Sequence, residues 1–299
     1  MKGLKVLSLF DGISCGMVAL ERANIPVEKY VAYEIDKDAI KISNYNYPHI
    51  EHKGNVFEAK YKEYEFDLLI GGSPCTYWSI ARSKDGRETT SSGVGWELFM
   101  QYVRALKEVK PKYFLYENNE SMADAIKNEI TKQLGVEPIM IDSADFSAQH
   151  RKRYYWTNIP VDLNYEKSNI LFEDIMDRDE NNYSFRDFSK WKDSIKISKD
   201  GLTIKYATKG GYHQDTQAKK PNQKWNTLVA SNGTSKGCVW YAETTARYLT
   251  RLEVERLQTL PDGYTNILKS LTKSCYCVGN GWTVDVIAHI LKNIKTQQD

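Results

Sequence analysis

Apolar positions fall into two alternating rhythms over residues 1–160. Short continuous runs read as strands: "KVLSLF" (5–10), "YVAYEID" (30–36), "FDLLIGG" (66–72), "KYFLYEN" (112–118), "EPIMIDSADF" (137–146) and "RYYWTNI" (153–159). Between them lie helical patterns, "MVALERA", "KDAIKISNY" and "WELFMQYVRALKEV" (96–109). The last places Leu98, Phe99, Tyr102, Val103, Leu106 and Val109 on one face, and Lys110-Pro111 ends it. Strands that are apolar throughout, alternating with helices, predict a doubly wound, mostly parallel α/β sheet.

The texture changes after residue 160. Residues 161–187 carry eight Asp/Glu against Lys167, Arg178 and Arg186, and 188–240 carry ten lysines against Asp193, Asp200 and Asp215. Trp191, Tyr206, Tyr212, Trp225 and Trp240 interleave with those lysines, a mixture that suits either nucleic-acid contact or a small β-rich domain with a solvated face. Regular pattern returns in "TRLEVERLQTLP" (250–261), where Thr250 and Glu253 form a capping box, and in the amphipathic "WTVDVIAHILKNI" (282–294). Three segments are therefore expected: 1–160, 161–240 and 241–299.

Composition changes this picture little. Net charge is +2, so any basic surface must be local. No apolar run approaches a membrane span, and the N-terminus leads straight into a strand rather than a secretory signal, so the chain reads as intracellular. The five cysteines, Cys15, Cys75, Cys238, Cys275 and Cys277, are odd in number and match neither a disulfide framework nor a zinc spacing, and no metal is expected. His49, His52, His150, His213 and His289 are scattered and read as surface or supporting residues.

The chemistry collects at strand ends. In "LFDGISCG" a strand runs through Gly12 and Gly16 into a helix start, and Glu34 ends the next strand, where a carboxylate can accept from ribose hydroxyls. The pattern is not GxGxxG, and Asp11 would repel a pyrophosphate, so a cofactor with a cationic or amino group fits better than a nicotinamide dinucleotide. Cys75 leaves the sheet in "GGSPC", after the stiff Pro74, where a thiol can act as a nucleophile. "LYENN" offers Glu117 and Asn118, and "SAQHRKRYYW" offers Gln149 with Arg151 and Arg153, which strand alternation would place on one face. A thiol, an acid and an arginine suit addition to an electron-poor ring such as cytosine, which presents C6, N3 and O2 to them.

In these stretches the chain resembles the DNA (cytosine-5) methyltransferases. "FDGISCG", Glu34, "GGSPC", "YEN", "QHRKR", "RYLTRLEVERLQTLPDGY" and "VGNGWTVDVIAHIL" follow one another in that family's motif order. The wording of "VLSLFDGI", "IGGSPC" and "GWTVDVI" is most similar to the branch containing the animal de novo enzymes, and the size to a bacterial or phage member. The resemblance implies an S-adenosyl-L-methionine-dependent methyltransferase fold with a smaller target-recognition domain over 161–240 and a C-terminal segment, 241–299, returning to the catalytic domain. It implies methyl transfer to C5 of a cytosine flipped out of double-stranded DNA, through a covalent bond from Cys75 to C6. Glu117 would donate a proton to N3; Arg153 and Arg151 would contact the base or its phosphate; Asn118 and Pro74 would shape the loops. Phe10, Asp11, Gly12, Ile13, Ser14, Glu34, Ile35, Asn55, Val56, Gly72, Asn280, Gly281 and Trp282 would line the site for S-adenosyl-L-methionine.

Two positions depart from the family pattern. Asn55 stands where an aspartate usually meets the adenine amino group, and Asn119 where the Glu-Asn motif continues with valine. An RNA cytosine-5 methyltransferase and a catalytically inert DNA-binding module stay open as alternatives. So do a restriction endonuclease partner, a homo-oligomer and a cytoplasmic, nucleoid-associated location in a bacterial or phage-infected cell.

Overall fold

The computed structural model describes residues 3–79, 86–199, 201–207, 213–230 and 238–294. The chain divides into two compact units: Met1–Asp142 with Lys152–Glu166 and Val284–Asp299, and Ser143–Arg151 with Lys167–Thr283. The segment expected to be separate, 161–240, thus falls mostly in the second unit, which also takes 143–151 and 241–283.

The first unit is built on a seven-stranded sheet. Its strands are β1 (Leu4–Leu9), β2 (Val27–Tyr33), β3 (Glu51–His52), β4 (Leu68–Gly71), β5 (Tyr113–Asn119), β6 (Ile139–Asp142) and β7 (Lys152–Thr157), in the spatial order β3-β2-β1-β4-β5-β7-β6. All neighbours are parallel except β7, which runs antiparallel to both β5 and β6. This is the predicted doubly wound, mostly parallel α/β architecture. Its helices are α1 (Cys15–Arg22), α2 (Lys37–Asn46), α3 (Val94–Val109) and α4 (Asp124–Leu134). Leu7, Leu9, Leu69, Phe99, Tyr102, Val103, Tyr116 and Trp156 form the core between α3 and the sheet. Burial of each such side chain contributes about 1.5–3 kcal/mol.

Two expected strands end early, for local reasons. The run 30–36 stops at Tyr33, because the Glu34 carboxylate takes the Ile35 and Asp36 amides and Asp36 then caps α2. The run 137–146 stops at Asp142 and turns through a 3-10 segment, Ser143–Asp145. Gly16 serves packing rather than ligand approach, since a side chain there would meet Ile70 and the Tyr30 hydroxyl.

The second unit holds α5 (Phe172–Ile175) and a six-stranded sheet of β8 (Phe185–Asp187), β9 (Ile195–Ser198), β10 (Gly201–Ala207), β11 (His213–Lys219), β12 (Cys238–Ala242) and β13 (Thr245–Tyr248). The order is β8-β13-β12-β11-β10-β9, antiparallel except at β11–β12. Then come α6 (Arg251–Leu257) and α7 (Leu271–Asn280). The Thr250–Glu253 capping box forms as the sequence predicts, and Glu253 is also in a fully buried ion pair with Arg247. Phe188, Ala218, Cys238 and Ala246 make a small core, with Trp191 and Trp240 packed on it. Trp225 is buried against Phe172, and Lys224 Nζ donates to the carbonyls of Ala144, Ser147 and Ser168. Those two residues of the basic aromatic stretch therefore serve the fold. Lys209, Tyr212 and Lys236, and the side chain of Tyr206, lie outside the described residues.

The chain returns to the first unit at α8 (Val284–Leu291), which packs on α1 through the Arg22–Asp285 ion pair and a buried apolar face. Among the described residues no helix is long and apolar enough to cross a membrane.

Candidate active site

Cys75 opens a 3-10 turn, Cys75–Tyr77, four residues beyond Gly71, the last residue of its strand, and just after Pro74. The Cys75 carbonyl accepts from the Trp78 and Ser79 amides at 3.0 and 2.9 Å. The thiol is half-buried, whereas the other four cysteines are buried. Burial pushes the Cys238 and Cys275 thiols up to about 11, which leaves them scarcely ionised near neutrality.

The turn is tied to β5 on both sides of Glu117. Tyr116 shares a 2.7 Å hydrogen bond with the Ser73 hydroxyl. Asn118 Nδ2 donates to the Ser73 carbonyl at 3.1 Å and to the Tyr116 hydroxyl at 3.0 Å. Parallel pairing of Gly71 with Tyr116 sets this juxtaposition at the carboxyl ends of β4 and β5, where ligands bind in such sheets. Burial raises the Tyr116 phenol far above its ordinary range, so it stays protonated as a hydrogen-bonding strut.

Glu117 receives Arg153 from β7, with Nε 2.9 Å from Oε1. Arg153 Nη1 donates to its neighbour's carbonyl, Lys152 O, at 2.8 Å. Arg151 is committed differently. β7 begins at Lys152, so Arg151 precedes the strand and the alternation expected to pair it with Arg153 does not reach it. Its buried guanidinium donates to the carbonyls of Leu228, Gly279 and Gly281 at 2.9, 3.1 and 3.0 Å, all in the second unit. Gln149 is spent there too, on Leu257 O, Gln258 and the Leu228 amide.

The glycine loop has a built conformation. Phe10, Gly12 and Ser14 adopt φ of 57°, 59° and 61°, three left-handed positions within five residues. Only glycine takes this backbone without strain, so neighbouring bonds must hold Phe10 and Ser14. Ser14 Oγ donates to Asp11 at 2.6 Å and is 2.6 Å from the Ser43 hydroxyl, which is 3.0 Å from His52 Nε2. Tyr30 donates to the other Asp11 oxygen at 2.7 Å. Burial raises the Asp11 carboxyl above its ordinary range despite these bonds, and desolvation lowers His52.

This loop fits a nucleoside cofactor with a cationic arm. Glu34 accepts from the Gly12, Ile35 and Asp36 amides at 2.8, 2.7 and 2.8 Å. That fills three of about four acceptor sites on a carboxylate and leaves one for a hydroxyl donor. Burial raises the Glu34 carboxyl, so a positive ligand charge would stabilise its ionised form. Open space lies where a Gly12 side chain would stand, and Ile35, 72% exposed, offers an apolar face. Asn55 is exposed and caps the Val56–Glu58 turn by accepting from Phe57 N at 3.1 Å, which leaves its oxygen a second lone pair. Val56, Ile13 and Ser14 turn their side chains inward, and Gly72 links β4 to Ser73. Asn280, Gly281 and Trp282 belong to the second unit. Sequence reasoning missed the roles of Ser73 and Tyr116, although they stand inside "GGSPC" and "YEN", and of Tyr30, Ser43 and His52, which lie in no chemically distinctive stretch.

Comparison with known proteins gives a consistent result. A family model described as C-5 cytosine-specific DNA methylase matches residues 4–296. The orphan methyltransferase M.SPRI of Bacillus phage SPR is 35% identical over 176 residues, 54% of this chain and 39% of that protein, so the chain spans about two fifths of that relative's length. The type II methyltransferase M.FnuDI of Fusobacterium nucleatum is 27% identical over 335 residues, 98% of this chain and 94% of that protein. The crystal structure of the S. pombe Dnmt2 methyltransferase superposes with a TM-score of 0.65 at 18% identity, covering 96% of this chain and 97% of that one, a likeness of fold.

Proposed function

The chain belongs to the C-5 cytosine-specific DNA methylase family, and from that premise we propose that it methylates C5 of a cytosine flipped out of duplex DNA. The carrying observation is that both residues flanking Glu117, Tyr116 and Asn118, hold Ser73, two residues before Cys75. The nucleophile turn and the acid are thereby fixed to each other.

S-adenosyl-L-methionine supplies an electrophilic methyl group when bound. The Cys75 sulfur forms a bond to C6, and the C5–C6 π pair shifts toward C5. Glu117 gives a proton to N3, which accepts the charge that would otherwise build on the ring. Arg153, held by Glu117, directs its guanidinium toward O2. C5 would take the methyl carbon as that carbon's bond to the sulfonium sulfur breaks and S-adenosyl-L-homocysteine leaves. The N3 proton returns to Glu117, water removes the C5 proton, and the electron pair of that C–H bond re-forms the C5–C6 double bond as the C6–S bond breaks and the Cys75 sulfur departs with its electron pair. Phe10, Asp11, Gly12, Glu34, Ile35 and Asn55 would hold the cofactor on the first unit.

Residues 161–240 act as the target-recognition domain, with exposed Lys190, Lys192, Lys196 and Lys199 available to phosphates. The reaction belongs in the cytoplasm of a bacterial or phage-infected cell, on nucleoid DNA.

Nucleoside mass spectrometry tests the reading, on plasmid DNA incubated with purified protein and S-adenosyl-L-methionine, with Cys75→Ser and a structured RNA in parallel. 5-Methylcytosine is expected in DNA with the wild type alone. Its appearance only in RNA would move the substrate, and its absence from both would leave a DNA-binding module.

A further inference from the structure

The Cys75 turn has a second anchor, opposite the one at Ser73. Glu88 N donates to the Tyr77 carbonyl at 2.9 Å. The Glu88 carboxylate accepts from Trp78 Nε1 at 3.1 Å and from Gly95 N at 3.2 Å. Gly95 lies in the first turn of α3, so one carboxylate joins the Cys75 turn to that helix.

The surroundings are shaped to admit this carboxylate. A side chain at Gly93 would meet Glu88 at 2.6 Å, and one at Gly95 would meet Glu88 at 2.7 Å and Trp78 Nε1 at 2.8 Å. Gly93 also has φ of 87°, which a side chain would strain. Trp78 is fully buried, edge-on to Phe99 of α3. Without Glu88 its indole N–H would be a buried donor with no partner, next to the residues that set where the Cys75 sulfur points.

We propose that Glu88 is a positioning residue of the reaction: through Trp78, Tyr77 and Gly95 it fixes the turn that carries the Cys75 thiol. This rests on the reading of Cys75 as the nucleophile. Glu88 touches neither base nor cofactor in this role. It holds the sulfur in a near-attack position, where small displacements are costly in rate.

The test reads Cys75 alkylation by iodoacetamide, resolved at that residue by mass spectrometry, together with methyl transfer to plasmid DNA. In Glu88→Ala, kcat should fall about tenfold while KM for S-adenosyl-L-methionine stays within about twofold. Cys75 alkylation should accelerate about fivefold as the turn loosens. Glu88→Gln keeps shape and one acceptor oxygen, so it should fold normally and fall between wild type and Glu88→Ala in both readouts. Trp78→Phe removes the donor and keeps the ring; adding it to Glu88→Gln should cost less than the sum of the two single changes. Wild-type alkylation and kcat in both Glu88 variants would overturn the proposal. Should the wild-type chain transfer no methyl group to DNA, the function fails, and the alkylation rates still decide the role of Glu88.

Discussion

Arg153 Nε stands 2.9 Å from Glu117 Oε1, with both side chains nearly nine-tenths shielded from solvent. The contact is diagonal across β5 and β7, where Glu117 faces Tyr155 and Asn119 faces Arg153. The arginine thus positions the acid from the neighbouring strand. Glu117→Gln keeps shape and the contact but removes the transferable proton. Its kcat should fall about 10²-fold or more with melting little changed. Single-turnover methylation with a melting curve checks this, and an unchanged rate would remove Glu117 as the N3 proton donor.

If Asp11 and Glu34 hold the cofactor as proposed, its binding should depend on pH. Burial raises both carboxyls above their ordinary values of 3.8 and 4.5. A folded value above the unfolded one contributes stability below the unfolded value, and that contribution is lost as pH rises through the folded one. The free protein should therefore lose this contribution on leaving the acid range, and less so in Asp11→Asn. A cationic ligand favours the ionised carboxylates, so its stabilising effect should grow over the same window. Thermal shifts between about pH 4.5 and about pH 7 should rise more steeply with S-adenosyl-L-methionine than with S-adenosyl-L-homocysteine, which lacks the sulfonium charge. Parallel profiles for the two ligands would show that the carboxylates do not sense that charge.

Arg151 is 4% exposed and feeds three carbonyls. Arg151→Ala removes the guanidinium donor from the Leu228 and Gly279 carbonyls and leaves Gly281 O to Gln258 Nε2, at a cost of about 3 kcal/mol. Arg151→Lys restores charge but not the fork and should recover only part of it. Urea denaturation measures both. A melt unchanged by Arg151→Ala would mean that water reaches those carbonyls.

The relationships legible in the sequence are those with local signatures. Thr250 and Glu253 satisfy each other across three residues, so the capping box is readable from spacing. "GGSPC" and "YEN" lie at the ends of apolar runs, and the parallel register of β4 and β5 brings those ends together. What escaped depends on long separations. Gln149 meets Gln258 109 residues later, and Ser143 meets Thr283 140 residues later. No local pattern encodes such pairs. Arg151 stands one residue before β7 begins, where strand alternation no longer sets the side its guanidinium takes. Glu34 ended β2 early by offering the backbone an alternative acceptor, a competition that propensity does not register.

Asn119 supplies a case where the chain carries a cost it could shed. It is 3% exposed, and its Oδ1 is buried without a hydrogen-bond partner. Its Nδ2 donates to Ser121 Oγ at 2.8 Å, and its backbone amide bonds to Asn118 Oδ1 at 2.9 Å, a contact that any side chain would keep. The orphaned oxygen costs about 1–3 kcal/mol, against about 0.5–1.5 kcal/mol from the Ser121 bond, whose half-buried hydroxyl can turn to water. Valine fits a strand and removes the oxygen. Asn119→Val should therefore stabilise the protein by about 1 kcal/mol, with kcat within about twofold because Glu117 and the Asn118 clamp are untouched. Urea denaturation and steady-state methylation measure the two effects. A loss of stability would mean that Oδ1 has a water or substrate partner, and a simultaneous loss of kcat would place that partner in the active site beside Arg153.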